Sequence, residues 1–170
     1  METRMPEIAL LMGSKSDLPK LQDTIQVFKD FEIDFTVRVM SAHRTPEVVV
    51  DFTVNAESNG IKVIICAAGS AAHLAGVVAG HTTLPVLGIP VQGGALNGMD
   101  ALLATVQMPG GIPVASVALG GGGPKNAGLF AVQILALSNP ELAQKLKDTR
   151  KMQSDKVIQA DKELQEELQS

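Results

Sequence analysis

The chain has 170 residues, a formal net charge of −4 and 45% hydrophobic residues, which suits one domain with its own core and excludes a disordered chain. Negative charge with no Trp, no Tyr and five Phe lacks the positive field and stacking surfaces of a nucleic-acid binder, and no apolar run approaches the ~20 residues of a membrane span. The first apolar stretch is too short for a signal peptide and follows acidic Glu7, while the lone Cys66 fits a reducing compartment, so a cytoplasmic protein is expected.

In chain order, Ile8–Met12 is a continuous apolar run and predicts a buried strand. A Gly/Ser loop at 13–17 leads into a helix starting near Leu18-Pro19. Segment 35–40 alternates, with Phe35, Val37 and Val39 on one side, and predicts a second strand. Thr45-Pro46 predicts a capped helix start and Asn59-Gly60 its stop. Segments 63–67, 86–91 and 114–119 are further near-continuous Val/Ile/Leu-rich runs, as strands covered on both faces require. Strand alternating with helix implies right-handed crossovers, hence a doubly wound α/β domain with a parallel sheet of five strands between helical layers.

The catalytic domain is expected over 1–140, with a helical extension over 141–170. Residues 141–170 carry 13 of the 32 charged residues, and Ser138-Asn139-Pro140 is a cap-plus-proline start. Leu142, Leu146, Val157, Ala160, Leu164 and Leu168 form a sparse stripe. Such a stripe suits either a surface helix with a frayed end or an arm laid on a neighbouring subunit.

Ligands of a parallel α/β sheet bind outside the carboxyl ends of its strands, so five loops are read as one site: 13–17, 41–45, 68–73, 92–95 and 120–123. In the first, Ser14, Ser16 and Asp17 at a helix start suit a phosphate and ribose hydroxyls, although Asp17 is equally suited to cap the helix. The spacings of a P-loop and of a dinucleotide fingerprint are absent. In the second, His43 supplies a proton shuttle near neutral pH and Arg44 a planar fork for phosphate or carboxylate. The alternative has His43 bonded to a backbone carbonyl and Arg44 paired with a surface acid. His73 is expected in a supporting role and His81 in a structural one. Cys66 is expected to be a small buried hydrophobe, and the seven Met residues core gap-fillers. Lys125 reads as a solvated loop charge. No metal-ligand spacing is present, so no metal is expected. Four glycines at 120–123 imply a close backbone approach or a moving loop, and Gly110-Gly111 a flexible element or an ordinary turn.

Gly13-Ser14-Lys15-Ser16-Asp17, Ser41-Ala42-His43-Arg44-Thr45-Pro46, Ala71-Ala72-His73-Leu74, the segment 85–92 and Val106-Gln107-Met108-Pro109-Gly110-Gly111-Ile112-Pro113-Val114 resemble, in order and spacing, the 5-(carboxyamino)imidazole ribonucleotide mutases of purine biosynthesis. The resemblance spans roughly residues 7–150. It implies an octamer of flavodoxin-like three-layer domains, with C-terminal helices reaching neighbouring subunits, sites at subunit junctions, and neither metal nor organic cofactor. It makes His43 the catalytic acid and base, and Ser14, Asp17 and Arg44 the substrate-binding residues. Ser16 and Ser41 assist them, and Ser70 and His73 lie on the same substrate. Arginine at 44 matches the mutases, whereas the related carboxylases that use free carbon dioxide commonly carry lysine there. Ser70 stands where many relatives have glycine, and the 119–127 segment lacks the lysine that their Gly-Lys-Ala-Gly-Ala pattern puts near 121. A carboxylase acting on the aminoimidazole ribonucleotide is one competing reading, and a non-catalytic nucleotide-binding module another. A flavin carrier is weaker, with no Trp or Tyr to stack on the ring.

Overall fold

The computed structural model describes residues 5–169. Five parallel strands form one sheet: β1 (Ile8–Met12), β2 (Phe35–Val39), β3 (Val63–Gly69), β4 (Val86–Val91) and β5 (Ala115–Ser116). Their order is β2-β1-β3-β4-β5, with Ile8 opposite both Phe35 and Val63 and Ile64 opposite Val86. β1 and β4 are buried along their whole length, as continuous apolar runs between two helical layers must be. Side chains alternate between the faces. Ala9, Leu11, Ile64 and Cys66 join Val49 of α2 (Pro46–Val54) and Leu74, Ala75 and Val78 of α3 (Leu74–Ala79) in one core cluster. On the other side α1 (Gln22–Asp30) meets the sheet, where the Phe28 and Phe35 rings lie 5.1 Å apart. The Thr24 hydroxyl of α1 donates to the Pro124 carbonyl of α5 (Gly123–Ala136) at 2.7 Å. A fourth helix, α4 (Met99–Val106), follows β4, and α6 (Pro140–Gln169) ends the chain.

Several elements differ from the sequence expectations. β5 is two residues long rather than six. Val117 N–H still donates to the Gly88 carbonyl at 3.0 Å, but the next ladder bond would need an N–H at position 90, and Pro90 has none. The Ser116 hydroxyl bonds the Val117 carbonyl instead, at 3.3 Å. β2 is an edge strand, so the one-sided row fails at its end, where Val39 is 53% exposed. The first helix opens as a 3₁₀ segment, Lys15–Leu21, with Pro19 inside it. α2 stops at Val54, because the Asn55 side chain donates to the Asp51 carbonyl at 2.8 Å; Gly60, with φ of 85°, ends the turns beyond it. Lys125 lies in α5 rather than a loop.

The methionines divide. Met12 and Met40 are buried as core fillers, whereas Met5, Met99 and Met152 are exposed and Met1 lies outside the described residues. Two of the glycine run at 120–123 hold left-handed backbone, with φ of 63° and 47° at Gly120 and Gly121. A Cβ at Gly123 would fall 1.9 Å from the Ala118 carbonyl oxygen. Close approach and turn geometry therefore account for the run. The pair Gly110-Gly111 forms a turn, with Ile112 N–H on the Pro109 carbonyl at 3.3 Å.

The chain divides into two compact units, one through Val132 and one from Gln133 onward. In the second, the Asn139 side chain caps α6, accepting from the N–H groups of Glu141 and Leu142 at 3.1 and 3.2 Å. Side-chain pairs four residues apart, Gln144 with Asp148 and Lys151 with Asp155, support the helix surface. Residues 151–169 are exposed, including Val157, Ile158, Leu164 and Leu168. Among the described residues no helix is long and apolar enough to cross a membrane.

Candidate active site

Three loops leave the carboxyl ends of β1, β2 and β3, and because β1 lies between the other two these loops meet. In the first, Ser14 rather than Asp17 caps the 3₁₀ segment. Its hydroxyl accepts from Ser16 N–H at 3.3 Å and lies 2.8 Å from the Ser16 hydroxyl. Asp17, freed from capping, is half-buried in the first turn. Burial pushes its carboxyl above the usual range, and the Lys20 ammonium offsets part of that push.

The second loop is a closed turn. Thr45 N–H donates to the Ser41 carbonyl at 2.9 Å, and the Thr45 hydroxyl accepts from Ser41 N–H at 2.9 Å. Thr45 thus precedes α2 as expected, but its side chain fastens the loop instead of the helix end. The Ser41 hydroxyl accepts from the N–H groups of His43 and Arg44 at 3.4 and 3.3 Å. Arg44 Nη2 donates to the Gly13 carbonyl at 3.0 Å and so ties the second loop to the first. That contact replaces the surface acid considered from the sequence.

In the third loop Ser70 takes φ of 52°, a left-handed conformation costly for any residue with a Cβ. The chain then turns through Ala71 and Ala72 to present His73 at the start of α3. His43 Nε2 and His73 Nδ1 share one hydrogen at 2.8 Å, their rings nearly perpendicular at 83°. Only one of the two facing nitrogens carries the hydrogen, so the tautomer of each ring fixes that of the other. His43 is therefore bonded to a second imidazole and not to a backbone carbonyl.

These groups line one cavity of about 260 Å³, with Ser14, Asp17, Ser41, His43, Arg44 and Ser70 in its wall alongside His73. Ser16 stands outside the lining and meets it through Ser14. A carboxylate, a guanidinium, hydroxyls and a coupled imidazole pair in one recess can grip an anionic polar ligand and move a proton beside it. The other two glycine loops do not join this cavity as the sequence suggested. Gln92, Gly93, Gly120 and Gly121 line a separate cavity of about 500 Å³.

Of the remaining residues singled out, His81 Nδ1–H donates to the Val77 carbonyl at 2.8 Å, a structural bond at the end of α3. Cys66 is buried in β3, and burial pushes its thiol far up, which leaves it inert. Among the described residues no three His, Cys, Asp or Glu side chains are grouped to hold a metal. The imidazole pair is the feature that sequence reasoning missed. Strand order supplies the signal, since loops following the two strands that flank β1 must approach each other.

A family model described as AIR carboxylase matches residues 7–156. An N5-carboxyaminoimidazole ribonucleotide mutase of Pyrococcus abyssi is 51% identical over 146 residues, 86% of this chain and 83% of that one. Its namesake in Escherichia coli K12 is 49% identical over 152 residues, 89% and 90% of the two chains. A crystal structure of Treponema denticola PurE matches with a TM-score of 0.85 at 32% identity, covering 94% of this chain and 98% of its own. With the family match running from β1 into α6 and half the residues shared with such relatives, the chain belongs to the AIR carboxylase family.

Proposed function

We propose that the chain catalyses the reaction for which its curated relatives are named, converting N5-carboxyaminoimidazole ribonucleotide to 4-carboxy-5-aminoimidazole ribonucleotide in purine biosynthesis. The observation that carries this reading is the His43–His73 pair at 2.8 Å in the cavity that also holds Ser14, Asp17 and Arg44. The phosphate is bound by Ser14, Ser41 and Arg44, and the ribose hydroxyls by Asp17. This remote grip fixes the imidazole ring against His43, with Ser70 and His73 beside the migrating carboxylate.

With Nε2 engaged by His73, Nδ1 of His43 is the nitrogen left for proton transfer. Protonated His43 gives its proton to the carbamate nitrogen; the nitrogen–carbon bond breaks, releasing carbon dioxide and a neutral amine. Ring carbon C4, made electron-rich by that amine, attacks the carbon dioxide and forms the new carbon–carbon bond. Neutral His43 then takes the C4 proton, which restores aromaticity and regenerates the imidazolium. One histidine serves both steps because an imidazole side chain can both give and take a proton. No redox change occurs, and nothing is consumed.

The same reading makes the protein a cytoplasmic homo-octamer, with α6 lying on a neighbouring subunit. The exposed apolar residues Met152, Val157, Ile158, Leu164 and Leu168 of α6 support such an arm. A carboxylase using free carbon dioxide is the second reading, favoured by the description of the family model. Arg44 and the mutase names of relatives at 44–51% identity favour the first. The decisive experiment supplies N5-carboxyaminoimidazole ribonucleotide without bicarbonate or ATP, and aminoimidazole ribonucleotide with bicarbonate in a parallel arm. The mutase reading expects the C4-carboxylated product in the first arm; product in the second arm alone would replace it with the carboxylase.

A further inference from the structure

The stretch 92–98 joins β4 to α4 and lies between the two cavities. Gly94, Asn97 and Gly98 hold φ of 68°, 52° and 93°, and residues 92–97 are exposed. The stretch closes on itself, with Gln92 Nε2 donating to Asn97 Oδ1 at 2.9 Å and Asn97 N–H to the Gly94 carbonyl at 3.2 Å. A loop so rich in glycine loses much conformational entropy when fixed, so what holds it in place matters to whatever it touches.

On one side Gly94 backs the histidine cavity: a Cβ built there would lie 3.4 Å from the Ser70 hydroxyl. On the other, the loop is tied across 72 residues by Lys20, whose Nζ donates to the Gln92 carbonyl at 2.5 Å. Lys20 belongs to the same 3₁₀ segment as Asp17 and acts electrostatically on the Asp17 carboxyl. One ammonium thus engages both the segment that carries Asp17 and the loop that backs Ser70.

We propose that Lys20 is a positioning residue: its ammonium pins the 92–98 loop to the Lys15–Leu21 segment, and the pinned loop holds Ser70 in the wall of the substrate cavity. The link to catalysis rests on the mutase reading above, whereas the tether itself does not. Losing the tether leaves the loop to be ordered at each binding event, so apparent affinity falls with the fraction of chains already in the competent state. Chemistry after binding is unaffected, because the bound substrate restores the order.

Lys20→Met keeps the stem and removes the donors, while Lys20→Arg keeps the charge. Hydrogen–deuterium exchange on the whole protein should show the 92–98 amides exchanging about tenfold faster in Lys20→Met while those of the central strands stay unchanged. KM should rise about three- to tenfold with kcat within about twofold, and Lys20→Arg should restore both readouts. Loop exchange equal to wild type in Lys20→Met overturns the tether whatever the activity. Faster loop exchange with unchanged KM overturns the positioning role, and a kcat loss with unchanged KM, or an arginine variant no better than methionine, does the same. If the wild-type protein forms no C4-carboxylated product, the mutase reading fails instead, and the exchange comparison still tests the tether.

Discussion

Asp17 and Ser70 each carry a local cost that their position at the site makes intelligible. Asp17 is half-buried with its carboxyl pushed up, first by desolvation, so an ionised side chain there opposes folding above the carboxylate range. Because the folded-state value lies above the unfolded one, that cost is absent at low pH and present in full at pH 7. Asp17→Asn should therefore raise the melting temperature at pH 7, and the gain should fade as the pH falls through the raised folded-state value and be gone below about 4; a gain that grows on acidification would contradict the assignment. Ser70 sits at φ of 52°, where a Cβ costs about 1–2 kcal/mol, while glycine returns about 0.5–1 kcal/mol of that through its freer unfolded chain. Ser70→Gly should thus stabilise the fold by roughly 0.5–1 kcal/mol in urea denaturation. His43 and Arg44, expected from their place after a strand, line the candidate cavity. The partner of each was not legible, because both the 2.8 Å imidazole contact and the Gly13 carbonyl are reached through strand order and not through local sequence.

Strands buried on both faces announced themselves, and the edge strand β2 was legible from its alternation, whereas the length of β5 was not. β1 and β4 fall on the apolar runs, and β3 extends two residues beyond its run to Gly69, since a strand inside a parallel sheet needs apolar side chains in every position. β5 looked as long as its neighbours, but its length is set by the missing N–H of Pro90 on the adjacent strand, a feature of pairing that its own residues do not encode. Glycine was ambiguous for a similar reason. The 120–123 run reads as loop chemistry, while Gly88 in the middle of β4 gives no local sign of its importance. There a Cβ would lie 2.2 Å from Thr105 Cγ2 and 3.3 Å from Val114 Cγ1, so β4 and α4 pack with nothing between them. Gly88→Ala should destabilise the protein by about 1–3 kcal/mol through overpacking, measured by chemical denaturation; a neutral effect would mean that α4 can shift away from the sheet without penalty.

Across the whole molecule, the five strand-end loops separate into two groups, and the division matters for function. Loops from β1, β2 and β3 assemble the histidine cavity, while those from β4 and β5 line the larger cavity beside it, with Gln92–Gly98 between. The second unit contributes a capped helix whose last nineteen residues, 151–169, are exposed, with Met152, Val157, Ile158, Leu164 and Leu168 among them. If α6 carries the octamer proposed above, a chain ending at Ser138 should form a smaller assembly than the full chain in light scattering. An unchanged mass would remove α6 from the assembly. Carboxylate transfer at the histidine cavity is tested most directly by His43→Asn, comparing turnover of N5-carboxyaminoimidazole ribonucleotide with calorimetric affinity for the same ligand. The expected result is affinity within about threefold of wild type and turnover lowered by about 10²–10⁴-fold or more; turnover within tenfold of wild type would take proton transfer away from His43.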